Sequence, residues 1–398
     1  MKRLLRVSLD IFVTSVVPIA QCFLIGMLLD SNLINIFTLT YPLQFVVVLL
    51  KSMFGTGANI LACKENNKNA IDCGILLGVV VGAAIFGTIV YHIEDYIQFM
   101  NMDIATYRIF GIYSVIQIYL QFVLQLVLTK LYYKEENKKA NAISLKFNGL
   151  NFMCIIGLAI LTKSQMATVT FSLIILFIYV ALLLMVSIDK FEFEFHLLKS
   201  IKYDSVDFFH GVTMTLIYLV GFKNVFSFGE NYVLAMTFAT LVTDMQWDIM
   251  HAIVTIAKVD IPKKNFDYKK HMKNAYRLEA IVISSIFIMV MVLYGNYQPD
   301  LKLSTIFIGA EVLMILFYPI YITRTCYLQL EYSATKTTLN KEIANVIRML
   351  LSATLVTPYC TVIGQLTSMM YQLIYTKIMW FAKDHKLEKL QNSKLECH

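Results

Sequence analysis

Four polar side chains stand on one face of an otherwise apolar stretch: Asp244, Asp248, His251 and Thr255. Their spacing of i, i+4, i+7 and i+11 is helical, so one stripe would carry two carboxylates, an imidazole and a hydroxyl. Ionisable groups inside a membrane helix are expensive and normally face a polar cavity or a partner. Two acids a turn apart repel when both are ionised, so at least one should keep its proton closer to neutrality than usual. A carboxylate poised in that way holds either a proton or an organic cation. Such competition is the chemistry of antiport, in which a proton from outside expels the cation and its loss inside restores the site. His251 would tune or relay the proton, and Trp247 beside Asp248 offers a cation–π face. The plainer reading puts this half of the helix at the cytoplasmic surface, where the same groups are simply solvated.

Other intramembrane residues add to the pattern. An offset of about 197 residues relates the two halves of the chain and sets Lys51 on Asp248, at equivalent depths of equivalent helices. Paired across the cytoplasmic mouth, the two would hold an inner gate shut in one state and part in the other; otherwise Lys51 snorkels to the headgroups. Glu311 lies in the outer half of a later span, eight residues before Pro319. A proline inside a span frees a backbone carbonyl that can help to line a cavity. Pro18 and Pro42 stand within the first two spans, where bending would gate access. Lys146 and Asn148 read as interfacial, and Arg324 and Arg348 as anchors at inner helix ends.

These residues need a membrane scaffold, and the composition supplies one: 58% hydrophobic residues against 15% charged. Twelve apolar segments, near 9–29, 33–62, 74–93, 108–129, 142–161, 167–187, 206–224, 230–258, 277–294, 303–325, 343–360 and 362–381, are candidate spans. The second six restate the layout of the first six. Ser8-Leu9-Asp10-Ile11-Phe12 opens one half and Ser205-Val206-Asp207-Phe208-Phe209 the other; Thr40-Tyr41 falls on Thr237-Phe238, and Ala62 on Val259. The expectation is an all-α polytopic membrane protein, with two parallel six-helix lobes related by a pseudo-two-fold axis along the membrane normal. The lobes would be 1–200 and 201–382, followed by a basic cytoplasmic tail, 383–398.

Basic residues orient the chain. Lys and Arg crowd the segments on the side of the N-terminus, while the opposite loops hold only Arg108, Lys163, Lys223 and Lys302. By the positive-inside rule both termini are cytoplasmic, in a multi-pass protein of a bacterial cytoplasmic membrane. This bias accounts for the net charge of +7 without nucleic acid. The basic stretch from Lys258 to Arg277 anchors at the cytoplasmic face and would meet anionic lipid there. The opening Met1-Lys2-Arg3-Leu4-Leu5-Arg6 leads into a long span with no cleavage site, so it reads as a first helix. Seven cysteines show neither CxxC nor metal-ligand spacing, and P-loop, GxSxG and HExxH signatures are missing. No enzyme, cofactor or metal is therefore expected. Transport would run on an ion gradient, H+ or Na+, or downhill.

Five local sequences carry a family resemblance. Leu24-Ile25-Gly26, Tyr41-Pro42-Leu43 and Phe54-Gly55-Thr56-Gly57-Ala58-Asn59-Ile60-Leu61-Ala62 resemble the opening of multidrug and toxic compound extrusion (MATE) transporters. The end of the tenth span, Leu330 to Thr338, and the turn from Pro358 to Gly364 are similar to that family's later links. The resemblance implies a secondary transporter, working as a monomer, that exports amphipathic and often cationic small molecules by cation-coupled antiport. It departs at the coupling acids. The family's span 1 aspartate aligns with Cys22 or Phe23, its span 7 glutamate with Thr213 or Thr215, and its span 10 aspartate with Tyr321 or Ile322. The same superfamily holds flippases for lipid-linked oligosaccharides. Such a flippase needs cavity cations for a diphosphate, and only Lys51 and Lys146 qualify.

Overall fold

The computed structural model describes residues 19–65, 69–188, 195–261, 267–331 and 334–395. Every regular element among them is helical. In order these are α1 (Ile19–Leu28), a 3-10 turn (Ser31–Asn35), α2 (Ile36–Lys51), a π turn (Ser52–Thr56) and α3 (Gly57–Glu65). There follow α4 (Asn69–Tyr91), the short α5 (Ile93–Phe99), α6 (Ile104–Tyr133), α7 (Asn137–Thr162), α8 (Gln165–Ser187) and the short α9 (Leu197–Tyr203). The remaining helices are α10 (Ser205–Phe226), α11 (Glu230–Asp260), α12 (Tyr268–Tyr297), α13 (Leu301–Glu331), α14 (Ala334–Thr354) and α15 (Cys360–Leu395). Among the described residues, seven helical stretches are long and apolar enough to cross a membrane, and α9 with α10 makes an eighth if that bent pair is one span. The 31 residues of α11 and the 36 of α15 exceed the roughly 20 that a bilayer core requires. The all-helical membrane architecture expected from the sequence is the one found.

Backbone contacts divide the chain into two compact units, Thr14–Phe238 and one that begins at Ala239. In the first, α2 lies along α10 and α6, and α6 also packs on α4 and α8. The α2–α10 seam is aromatic: Phe45 stacks on Tyr218 at 5.1 Å, and Tyr41 meets Tyr218 edge-on at 4.8 Å. Edge-on and offset contacts of this kind follow from the ring quadrupole. Toward the expected outer end, Thr38 Oγ1 lies 2.6 Å from Thr237 Oγ1, both fully buried. These threonines are two residues from being repeat equivalents, so α2 and the start of α11 touch at almost matching positions.

The small residues that close the second span have a packing cause. The π turn leaves the carbonyl of Met53 to Ser200 Oγ of α9, which donates to it. Gly57 lies so close to Ser200 that a side chain would collide with it. Lys199–Glu65, at 2.7 Å, and Lys64 over the Tyr203 ring complete the hold of α9 on α3. Deeper in the same unit, Lys130 Nζ donates to Asp72 and to the carbonyl of Ser187, tying α4, α6 and α8 together. Both charged side chains are under one tenth exposed.

In the second unit α15 packs on α14 and α13, and α12 on α13. The eleventh span, expected to continue to residue 360, ends at Thr354. A turn through Pro358 then leads into α15 at Cys360. Pro358 disfavours the helical conformation at the residue before it, in keeping with a turn at this place. Two other prolines stay within helices: α2 runs through Pro42 and α13 through Pro319. Pro18 lies outside the described residues.

Candidate functional site

Among the described residues of the second unit, Glu311 is the centre of a polar constellation. It sits ten residues into α13, about 15 Å from the start of that helix. Trp247 Nε1 on α11 donates to Oε2 of Glu311 at 2.8 Å, and Gln365 Nε2 on α15 donates to Oε1 at 2.7 Å. Each carboxylate oxygen thus accepts one hydrogen bond from an uncharged donor, and three helices are joined at a single side chain. Bonds to an ionised acceptor are roughly twice as strong as neutral ones. The local cause of each position is plain. Trp247 is half-buried on α11, between the buried Gln246 and Met250, and Gln365 follows Gly364, where α15 comes close to α14. A Cβ on Gly364 would stand 2.8 Å from the carbonyl of Arg348, so only glycine allows that approach.

An aromatic wall completes the arrangement. Tyr318, two turns along α13, meets the Trp247 ring edge-on at 5.2 Å and Tyr321 at 5.4 Å. Both tyrosines are buried. Pro319 between them has no N–H, which leaves the carbonyl of Ile315 without its helical donor. Arg348 and Glu311 both act electrostatically on Tyr321. The sequence reading of Arg348 as an inner anchor needs correction. It stands fourteen residues into α14, level with Gly364, because α14 begins at Ala334, earlier than the apolar run suggests.

Of the residues expected to form the site, the structure brings Trp247 and Glu311 together. Asp244 is half-buried one turn before Trp247 and is engaged in an interaction of its own. The backbone of α11 is helical through residues 244–255, as the spacing requires. The side chains of Asp248, His251 and Thr255 lie outside the described residues, and with them the expected Lys51–Asp248 pair. Within its own unit Lys51 has Asp204 and Asp207 as electrostatic neighbours. Lys146 is exposed, in keeping with an interfacial place, whereas Asn148 is buried. Sequence reasoning missed Gln365 and gave Arg348 a different role. The signal for Gln365 was a lone amide in a segment read for its apolar content.

The first unit carries a second constellation that sequence reasoning also missed. Gln21 Nε2 donates to the Tyr113 hydroxyl at 3.0 Å, Tyr113 donates to Asn151 Oδ1 at 2.7 Å, and Asn151 Nδ2 returns to Gln21 Oε1 at 3.1 Å. The three side chains are under 5% exposed and close a ring among α1, α6 and α7. Every member both gives and accepts, so the ring polarises cooperatively. Gln21 is the immediate neighbour of Cys22, where the family aspartate was aligned, and an amide does not ionise.

No family model and no curated protein matches the sequence. Solved structures do. An inward-facing multidrug resistance MATE family transporter of the MOP superfamily superposes with a TM-score of 0.69 at 13% identity, over 93% of this chain and 95% of that one. An outward-facing MATE family structure gives 0.62 at 14% identity over 96% of each chain. A MOP superfamily transporter from Pyrococcus furiosus, described as having a binding pocket of reverse polarity that suggests a different function, gives 0.63 at 13% over 95% of each. The resemblance read from Leu24–Gly26, Tyr41–Leu43 and Phe54–Ala62 thus extends to three dimensions: along nearly its whole length, this chain has the fold of the MATE transporters of the MOP superfamily.

Proposed function

We propose that this protein is a secondary active transporter. It exports amphipathic, often cationic, small molecules by cation-coupled antiport with alternating access. One observation carries the reading: a carboxylate inside a membrane helix, Glu311, held by neutral donors from two other helices in a MATE-type fold. Such a group can exchange a proton or cation for its internal contacts, and the exchange alters how α11, α13 and α15 are joined. Trp247, Tyr318 and Tyr321 supply aromatic faces for a cationic or planar substrate. Asp244, and by spacing Asp248, His251 and Thr255, would extend the polar path along α11. The chain works as a monomer in the bacterial cytoplasmic membrane, with both termini inside.

The surroundings of the deep cations support export over lipid-diphosphate flipping. A diphosphate needs cations that are not already committed. Lys130 is bound to Asp72, Lys51 neighbours Asp204 and Asp207, and Arg348 shares its surroundings with Glu311.

The test is ethidium accumulation in a bacterium stripped of its own efflux pumps. Wild type should lower accumulation, a protonophore or sodium ionophore should remove the effect, and Glu311→Gln should reduce export about 100-fold, within the usual strength of coupling between two sites. Accumulation equal to the empty vector, with the protein present in the membrane, would remove the exporter reading.

A further inference from the structure

The geometry points to a lipid site on the flank of the second unit. There α12 and α13 hold the headgroup of a zwitterionic phospholipid that bears a primary ammonium, with Arg324 on its phosphate and Glu279 on its ammonium. The site is independent of what the protein transports and uses none of the residues placed around Glu311. Two buried atoms carry it. Glu279 is 6% exposed, and its Oε2 has no hydrogen-bond partner among the described residues. Arg324 is half-buried, and among the same residues its Nε is buried and unpartnered. An acid and a guanidinium thus share one part of the unit without meeting through these atoms. A buried ion that lacks a partner is costly, and a ligand carrying both complementary charges relieves both.

Tyr276 stands between the two. Glu279, Tyr268 and Arg324 are its electrostatic neighbours, yet it is 43% exposed, so the place opens onto the outside of the unit. Helix direction explains the convergence. Tyr268 at the start of α12 and Tyr327 near the end of α13 both meet the Trp380 ring, at 5.4 and 5.1 Å. The two helices are therefore antiparallel and share this end. Side chains lean toward the N-terminus of their own helix. Tyr276 and Glu279, about 12 and 17 Å along α12 from Tyr268, lean back toward the shared end. Arg324, about 4.5 Å before Tyr327 on α13, leans away from that end and toward them.

The surroundings select the ligand. A guanidinium presents a planar fork that fits phosphate, and a carboxylate accepts from ammonium N–H groups. Tyr276 adds a hydroxyl that donates to the phosphate. Tyr268, Tyr327 and Trp380 form an aromatic cluster of the kind that sits at headgroup level. Further along α12, one side of the helix is apolar and open: Ile281, Phe287, Ile288 and Met291 are each at least half exposed. An acyl chain lies along that side while the headgroup stays at Tyr276. Free phosphate would leave Glu279 unanswered, and an anionic lipid would bring it no ammonium.

The experiment is native mass spectrometry of the delipidated full-length protein in detergent. It is offered phosphatidylethanolamine, the mono- and dimethylated forms, phosphatidylcholine and phosphatidylglycerol, all with the same chains. Phosphatidylethanolamine should bind tightest, and affinity should fall along the methylation series by about ten-fold at phosphatidylcholine, roughly the worth of one hydrogen bond to a charged group. Glu279→Gln should abolish the preference for ethanolamine over choline and leave phosphatidylcholine binding unchanged. Arg324→Gln should weaken every lipid about ten-fold, again the worth of one such bond. Thermal unfolding checks the fold of each variant, and if one fails to fold the methylation series on the unaltered protein decides alone. Equal affinity along that series, or tighter binding of phosphatidylglycerol, overturns the assignment. So does a preference that survives both substitutions, because the lipid then sits elsewhere on the chain. Glycerophosphoethanolamine, the headgroup without chains, should compete only far above the lipid's own concentration; competition at equal concentration would make this a site for a soluble ligand and remove the lipid.

Discussion

Two polar constellations join three helices each, and only one of them contains a carboxylate. Gln21, Tyr113 and Asn151 tie α1, α6 and α7 with amides and a phenol. Trp247, Glu311 and Gln365 tie α11, α13 and α15 around a carboxylate. In the first ring each member donates one hydrogen bond and accepts one, and none ionises near neutrality. The second has two donors and a centre that can change from acceptor to donor by taking one proton. The contrast teaches that equivalent mechanical jobs can be proton-blind or proton-sensitive, according to whether nitrogen or oxygen fills one position. It also teaches that the Lys130–Asp72 pair is structural, each ion compensating the other, while the hydrogen bonds to Glu311 come from neutral donors.

The largest expected effect tests that last statement. Replacing Asp72 with Asn leaves the Lys130 ammonium buried without its counter-ion, and breaking such a pair from one side typically costs about 3–5 kcal/mol. Thermal unfolding in detergent should show a much lower Tm for Asp72→Asn. A double Asp72→Leu, Lys130→Met protein should recover about half or more of the loss. Glu311→Gln should move the Tm far less, although it silences export. If the ranking reversed, with Glu311 carrying the stability and Asp72 the transport, the assignment of roles to the two units would be inverted.

A conversion experiment comes next in size. Gln21→Glu makes the first ring resemble the second. Residue 21 must donate to Tyr113 and accept from Asn151; a protonated glutamate does both, a carboxylate only the second. The variant should match wild type at low pH and lose about 1–3 kcal/mol as pH rises and the acid ionises, the usual cost of a buried group left unmatched. The measurement is Tm against pH, and a flat difference would show that the ring is not read by protonation even when a carboxyl is supplied. Asn151→Leu should cost a similar 1–3 kcal/mol or somewhat less at every pH, because it orphans Gln21 and Tyr113 without adding a titrating group.

Much of this organisation could be read from the residues. The hydropathy of α2, α4, α6, α8 and α13 makes their existence and type plain, since a helix alone satisfies its own backbone in lipid. Glu311 and Trp247 were visible as an acid and an indole in apolar surroundings. Their pairing was not, because a contact over 64 positions depends on how α11 and α13 pack, and periodicity describes one helix at a time. Gln21 and Asn151 were passed over for a related reason. Neutral amides barely disturb an apolar run, although burial makes their hydrogen bonding compulsory. Arg348 was misplaced because polar residues at the start of α14, from Lys336 to Glu342, hid the first two turns of that helix from an apolar count. Gly57 and Gly364 were legible as family-like small residues, but the atoms they admit, Ser200 and the Arg348 carbonyl, belong to segments far away in sequence.

The smallest effect concerns a second source of pH dependence that would blur the comparison. Asp204 lies between α9 and α10, outside the apolar spans, with one carboxylate oxygen buried and unpartnered. Burial, then the nearby Asp207, push its pKa up to about 7, and Lys51 acts in the opposite sense. An acid raised in the folded state stabilises the fold fully below its unfolded value, and that contribution is lost as pH rises through the folded value. The window therefore runs from the ordinary aspartate range near pH 4 to about 7. Because Asp204 is only half-buried, water screens much of the effect, and the expected change in Tm is a few degrees at most. Asp204→Asn should flatten wild-type Tm over that window and leave Glu311-dependent export unchanged. Export that fell with Asp204→Asn would mean that this carboxyl serves transport as well as stability, and the separation of roles drawn above would not hold.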